Sequence, residues 1–522
     1  MLGKITSKLR MPDGSINPWV IAVTVTLATF MEVLDTSIAN VALPHISGSL
    51  SAGADESTWV LTSYLVSNAI VLPLSGWLSS ILGRKRFYMT CVALFTVSSF
   101  LCGLAPSLGM LVFFRILQGA GGGGLQPSEQ AILNDTFPLS KRGMAFAVYG
   151  IAVVVAPTIG PWLGGWITDN YSWRWIFYIN IPVGIISLLL TYLLVSDPPY
   201  MKRVKLTQGF RIDYIGLGLI SLGLGSLQII LDKGQREDWL SSGFIQLFLI
   251  LMIVGIVAGV LWELRAKDPV VDFRMLKNRN FAIATVAMFF LGFVLYASTM
   301  LIPTMLQELF GYPAELAGGA LIMFTMPFVG YLVSRVDTRY LITFGCAISA
   351  SSLFVMAGWS LGLDFRHAVL GRMLQAFGLA FLFIPINVAA FASVPREKTN
   401  MGTGIINLAR NIGASVGIAT VTTMLERRTQ FHSAHLIEHV NPLSAVYHKT
   451  LASFSGGFIA GGSSAAGAAA QAHGMIYNIV QRQATMLAFL DNFKMLGIIF
   501  FAVIPILLLM KKPKVQGGIP VH

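Results

Sequence analysis

The chain has 522 residues, 55% hydrophobic and only 11% charged, where a soluble domain normally carries about 25% charged residues. Its mean hydropathy is +0.71, which excludes an ordinary soluble enzyme and indicates an all-α polytopic membrane protein. The net charge is +12, and its placement along the chain decides whether it marks a nucleic-acid partner or a membrane orientation.

Apolar runs, each able to cross ~30 Å of hydrocarbon, predict fourteen spans. They cover 18–43, 57–80, 87–105, 108–133, 143–168, 174–195, 213–232, 243–265, 281–307, 315–334, 340–361, 366–393, 401–425 and 488–510. The first is too long, and too interrupted by charge, for a cleavable signal peptide. Basic residues crowd the N-terminus (Lys4, Lys8, Arg10) and alternate loops: Arg84–Arg86, Lys141-Arg142, Lys202-Arg203-Lys205 and Arg274, Lys277 and Arg279. Lys511, Lys512 and Lys514 follow the last span. The positive-inside rule then places both termini in the cytoplasm. That asymmetry accounts for the net charge without nucleic acid. Cys91, Cys102 and Cys346 all fall within spans, so they form neither a disulfide framework nor a thiolate metal motif.

Span one carries Glu32 and Asp35, three residues apart and on one helical face. An ionised carboxylate at mid-membrane costs at least ~2.5 kcal/mol, so such groups face a water-filled path or exchange protons. Span four holds Arg115 and Gln118, then a glycine run from Gly119 to Gly124, interrupted only by Ala120. It lacks the Gly-Lys-Ser/Thr ending of a phosphate loop and reads as a close helix-packing surface. Arg115 must face partners or water, and the span-one carboxylates are its candidate partners. Glu129, further along, is expected to pair with a loop lysine or arginine. In span five, Gly160 and Gly164 give a close-packing face, while Pro157 and Pro161 remove backbone donors and bend the helix.

The sequence Arg115-Ile-Leu-Gln-Gly returns as Arg372-Met-Leu-Gln-Ala, an offset of 257 that also carries Pro138 onto Pro395 and Met144 onto Met401. Gly76-Trp77-Leu78 likewise matches Gly330-Tyr331-Leu332, and the exit proline Pro44 matches Pro303. Spans one to six therefore recur as nine to fourteen, with seven and eight inserted. The expected organisation is an N-terminal six-helix half (1–195), an inserted pair (196–280), a C-terminal six-helix half (281–510) and a tail (511–522). From Pro44 to Gly76 is 32 residues but from Pro303 to Gly330 only 27, so either span ten or the external loop before it is short. In the second half Asn387, Asn407 and Arg410 are candidate substrate contacts, with Arg410 equally readable as a lock on its helix, and Arg372 echoes Arg115. The segment 426–487 is too long for a plain connector. Its flanks predict helical extensions of spans thirteen and fourteen, joined by a mobile Ser/Ala/Gly-rich tip at Ser453–Gly474. His432, His435 and His439 share a helical face there but lack acidic or thiol neighbours, and a partner-facing surface is the preferred reading over a metal site.

Two six-helix halves about an axis along the membrane normal is the plan of the major facilitator fold. Leu34-Asp35-Thr36-Ser37-Ile38-Ala39-Asn40-Val41-Ala42-Leu43-Pro44, the stretch Trp173–Pro182 and Val270-Val271-Asp272 resemble the fourteen-spanner drug:proton antiporters of that superfamily, most closely EmrB-like multidrug exporters. The resemblance implies export of lipophilic or amphipathic small molecules against inflowing protons, with no enzyme activity, cofactor or metal. It implies proton coupling at Asp35, Glu32 and Arg115, and substrate contacts from Glu32, Asp35, Gln118, Asn387, Asn407 and Arg410. Gly76, Gly83, Arg84 and Lys85 resemble the gating loop between spans two and three, whose arginines can pair with acids of the other half; Ser80 stands where the family usually has aspartate. Gly160, Pro161 and Gly164 resemble the exporter signature of span five. The same likeness implies a bacterial inner membrane and a periplasmic adaptor leading to an outer-membrane channel. An exporter of an endogenous metabolite or siderophore-like compound, or a proton-coupled importer, stays open as an alternative.

Overall fold

The computed structural model describes residues 16–511 except 139, 199–212, 312–318, 393, 396–397 and 442. The basic residues expected at the N-terminus, at 202–205 and at 512–514, and the start of span ten at 315–318, lie outside the described residues.

The main helices are α1 Pro18–Ser49, α2 Trp59–Leu82, α3 Arg84–Leu104, α4 Leu108–Gly122, α5 Leu125–Thr136, α6 Arg142–Asn170, α7 Asn180–Leu194 and α8 Tyr214–Lys233. They continue as α9 Gly243–Arg265, α10 Arg279–Phe310, α11 Gly319–Leu332, α12 Thr338–Met356, α13 Phe365–Phe391, α14 Thr399–Glu438, α15 Ala445–Ala460 and α16 Ala465–Leu508. Several starts are written locally. Side chains of Asn17, Ser107, Asp213, Asn278, Asp337 and Ser464 accept hydrogen bonds from backbone amides of the first turn, satisfying donors that the helix itself leaves unpaired.

Among the described residues, eleven helices are long and apolar enough to cross a membrane, or twelve when α6, bent by 43° between Pro157 and Ile159, is one span. The short α11, with 14 residues, and the polar α14, bearing Asn400, Asn407, Arg410 and Asn411, are not among them.

Helices α1–α7 pack on one another, as do α10–α14 and α16; the seam between the two groups is made by α6 against α11 and α13, and by α2 and α5 against α14. The pair α8–α9 crosses at Gly223 and Gly255, so close that a Cβ on Gly223 would lie 2.7 Å from the Ile256 nitrogen. Helix α8 leans on α2 and α14, whereas α9 is mostly exposed apolar surface, as expected of a lipid-facing helix.

Glycine allows these approaches. A Cβ on Gly119 would lie 2.4 Å from the Tyr64 carbonyl oxygen, on Gly121 2.7 Å from the Phe95 nitrogen, and on Gly123 2.6 Å from the Asn68 oxygen. Without a hydrophobic drive between helices in lipid, such backbone contact is what holds them together. The run therefore works as the sequence implied, with one addition: α4 stops at Gly122 and α5 restarts at Leu125, so span four is broken within it.

Gly83 is the single residue between α2 and α3, at φ 85° and ψ 146°, a region open essentially to glycine alone. Gly83→Ala is expected to destabilise the fold by about 1–3 kcal/mol, read as a lower melting temperature of the purified protein in detergent.

The segment after α14 corrects one expectation. Helices α14 and α16 run for 40 and 44 residues, about 60 and 66 Å at 1.5 Å per residue, roughly twice the ~30 Å of a hydrocarbon core. The tip between them, however, is helical: Ser453–Gly474 falls in α15 and the start of α16, which pack together across a turn containing Gly462 at φ 94°. Alanines are strong helix formers, and Ala468 and Ala472 of α16 are buried although no residue of α15 is. His432 meets the Asp491 carboxylate at 2.8 Å, while His435 and His439 bond carbonyls of their own helix. No cluster of three metal-ligating residues occurs among the described residues.

Candidate functional site

Two polar assemblies grow from the face of α1 that carries Glu32 and Asp35. Both residues are buried, 5% and 2% exposed.

Asp35 is enclosed within its own group of helices. Arg115 Nη1 donates to Oδ2 at 2.6 Å; Gln118 Nε2 and Asn180 Nδ2 donate to Oδ1 at 3.0 and 2.7 Å. Arg115 also donates from Nε to the Val60 carbonyl at 3.0 Å and from Nη1 to Gln118 Oε1 at 2.8 Å. Its guanidinium lies 4.3 Å from the Tyr64 ring centre, a cation–π contact that strengthens away from water. Arg115 and Gln118 stand three residues apart on α4, so one helical face presents both donors to a single carboxylate. The pairing of Arg115 with a span-one carboxylate is therefore present, and Asp35 is the partner.

Glu32 turns instead towards the seam. It accepts from Tyr64 Oη at 3.3 Å, Asn68 Nδ2 at 3.2 Å and Gln126 Nε2 at 2.6 Å. Gln126 Oε1 in turn accepts from Tyr149 Oη at 3.0 Å and from Arg410 Nη2, and Arg410 Nη1 reaches Tyr149 Oη at 3.1 Å. A continuous hydrogen-bonded chain thus runs from Glu32 on α1 through Gln126 on α5 to Arg410 on α14, in the other helix group. One turn along α5, Gln130 and Asn407 exchange two amide hydrogen bonds, at 2.8 and 3.2 Å. Asn387 is fully buried and donates to the Phe383 carbonyl of its own helix at 2.8 Å; among the described residues it makes no bond into this network.

Gln126, Tyr149, Gln130 and Asn180 were not anticipated as site residues. The spacing of Gln126 and Gln130, one turn apart on one helical face, was the available signal; Asn180 lay inside the Trp173–Pro182 motif unremarked.

Glu129 departs from expectation. It is fully buried and accepts from Thr26 Oγ1 at 2.6 Å, not from a loop cation, because α5 turns that face onto α1 and away from the surface.

At the end of the bundle where Gly83 lies, the seam is tight. A Cβ on Gly76 would lie 2.7 Å from the Met401 Cα, and one on Gly330 would lie 2.8 Å from the Gly143 oxygen. These two contacts are related by the internal repeat, which maps Gly76 onto Gly330 and Met144 onto Met401. Asn400 adds a hydrogen bond to Ser79 across the same seam. Arg84 pairs with Asp135, and Lys85 binds Asp197 through its backbone amide and the Tyr192 carbonyl through Nζ. These are partners within the first helix group, contrary to the expected pairing with the other half. Ser80 bonds the Trp77 carbonyl and adds no charge. On α6, Gly160 and Gly164 lie against Ser37 and Ile38 of α1, and Ser37 Oγ donates to the Pro157 carbonyl at 3.1 Å. That carbonyl lies next to the bend, so the bent segment is sealed onto α1.

Comparison with known proteins agrees with this architecture. Residues 25–418 match the Major Facilitator Superfamily. The chain is 37% identical over 513 residues to the fatty acid resistance protein FarB of Neisseria gonorrhoeae, covering 97% of this chain and 98% of that protein. It is 37% identical over 432 residues to the multidrug export protein EmrB of Escherichia coli (strain K12), covering 81% and 83%. The fold resembles that of the human organic anion transporter MFSD10 (TETRAN), with a TM-score of 0.56 at 13% identity over 93% of this chain and 100% of the other.

Proposed function

The chain belongs to the Major Facilitator Superfamily, among its EmrB-like members, and on that premise we propose that it is a proton-driven exporter of lipophilic or amphipathic toxic compounds. In this reading it has fourteen spans in a bacterial inner membrane, with both termini cytoplasmic, and works by alternating access between two six-helix halves. The relatives support the cargo class: one is a fatty acid resistance protein and another a multidrug export protein.

The observation that carries the coupling is the buried Asp35–Arg115 pair, one helical turn from a carboxylate wired across the seam. A proton arriving at Asp35 would cancel the charge that holds Arg115 and leave a buried cation seeking new partners. Glu32, through Gln126, ties the same face of α1 to Arg410 of the other half. Any rearrangement of Arg115, and of the Tyr64 ring beneath it, is thereby felt at the seam. Proton and substrate need only favour different states to exchange.

The test is transport by the purified protein in liposomes. An imposed pH gradient is expected to drive a lipophilic dye against its concentration gradient, and a proton ionophore to stop it. Dye movement indifferent to the gradient would overturn the proposal.

The helical tip formed by α15 and the adjoining ends of α14 and α16 is proposed to dock a periplasmic adaptor, which would lead to an outer-membrane channel. Leu443 and Val446 at its end are 90% and 74% exposed, an apolar display suited to a partner. Replacing both with serine is expected to weaken adaptor co-purification at least ~10-fold, the scale of losing one interface hot spot, while dye transport in liposomes is unchanged. Equal co-purification would make the tip dispensable for docking.

A further inference from the structure

The internal repeat gives the second half the same pair of donors, but apolar residues stand at the positions that match Glu32 and Asp35. Arg372 and Gln375 on α13 repeat Arg115 and Gln118 at the common offset of 257. The local clasp is the same: Arg372 Nη1 lies 2.7 Å from Gln375 Oε1, as Arg115 Nη1 lies 2.8 Å from Gln118 Oε1. In the first half this clasp turns the guanidinium and the amide nitrogen of Gln118 onto the two oxygens of Asp35. In the second half, the position as far before Pro303 as Asp35 is before Pro44 is Val294, and that of Glu32 is Leu291.

Among the described residues Arg372 has only neutral partners: Gln375, Ser298 Oγ at 3.3 Å and Thr299 Oγ1 at 3.0 Å. Gln375 is fully buried, and among the described residues its Nε2 has no hydrogen-bond partner. A guanidinium within a membrane span is retained when it has a partner or a function, and its planar fork matches a carboxylate.

We infer that Arg372 and Gln375 form a subsite for the carboxylate of an anionic amphiphile, with Ser298 and Thr299 flanking it on α10. The first half would then hold its carboxylate permanently, for protons, while the second half receives one from cargo. This inference rests on the exporter reading and gives one class of its substrates: long-chain carboxylates.

The experiment measures binding of three probes of equal chain length to the full-length protein in nanodiscs: dodecanoate, dodecanol and dodecyltrimethylammonium. Losing a hydrogen-bonded charge partner changes affinity by about 10- to 100-fold. Arg372→Gln is expected to weaken dodecanoate by that factor and leave the alcohol and the cation within about twofold. Ser298→Asp, which places a carboxylate from the chain itself beside the guanidinium, is expected to exclude dodecanoate in the same selective way.

Unchanged dodecanoate binding in Arg372→Gln would overturn the subsite. So would an equal loss of all three probes from folded protein, which would make Arg372 a structural brace. If Arg372→Gln does not fold, Ser298→Asp and Gln375→Leu decide the matter, and wild-type dodecanoate affinity in both overturns it. Dye export that responds to pH, beside dodecanoate binding indifferent to these residues, removes the subsite alone. Selective binding without gradient-driven export removes the exporter reading and leaves the subsite standing.

Discussion

Asp35→Asn is expected to abolish gradient-driven efflux in liposomes and also to lower stability. The first effect follows because an amide cannot take up a proton at physiological pH. The second follows because Arg115 is fully buried and Asp35 is its only carboxylate contact among the described residues. Removing one partner of a buried ion pair typically costs 3–5 kcal/mol, whereas replacing both with neutral groups is often close to neutral. The double variant Asp35→Asn/Arg115→Gln should therefore regain most of the lost melting temperature while remaining unable to couple. This separates charge balance from proton transfer. If the double variant regained gradient-driven efflux together with stability, Asp35 would be only a counter-ion. If the single variant transported normally, the pair would have no part in coupling at all.

Leucine at Gly76 or Gly330 is expected to stop transport by preventing closure at the end of the bundle where Gly83 lies. Each glycine faces backbone of the other helix group at a distance that no Cβ tolerates, and backbone cannot swing aside as a long side chain can. The added volume must separate the helices. Because the two contacts are repeat-related, either substitution should have a similar effect. A cysteine introduced at Ser79, which is buried at this seam, reports the opening. The native Cys91, Cys102 and Cys346 are buried and give a low background. Maleimide labelling of Ser79→Cys should be slow with glycine at 76 and at least ~10-fold faster with leucine, as expected of a displacement of about 1.4 kcal/mol or more between closed and open states. Slow labelling together with normal transport in Gly76→Leu would show that the seam yields locally and does not gate.

Composition and period determined a good deal. Runs of apolar residues of bilayer length can only be helices in lipid, because every backbone donor and acceptor must be satisfied within the span. The repeat of Arg115-Gln118 as Arg372-Gln375, and of Gly76 as Gly330, places equivalent residues in equivalent helices from the sequence alone. The spacing of Glu32 and Asp35 put both on one face of α1, and the need to neutralise Arg115 pointed to them as partners.

What one-dimensional spacing cannot carry is which neighbour each side of that face meets. Asp35 closes onto α4 and α7 within its own group and Glu32 opens onto α5 and the seam, a division set by how α1 is rotated in the bundle. Glu129 and Arg84 were misread for the same reason. Glu129 was expected to meet a loop cation and Arg84 an acid of the other half, yet the turn of α5 buries Glu129 on α1 and brings Asp135 to Arg84. The Ser/Ala/Gly-rich tip was expected to be mobile, whereas it is helical, with α15 packed along α16 and Ala468 and Ala472 buried. Tertiary structure decided these points because burial belongs to pairs of elements, and a residue's partner across a helix interface leaves no mark at its own position.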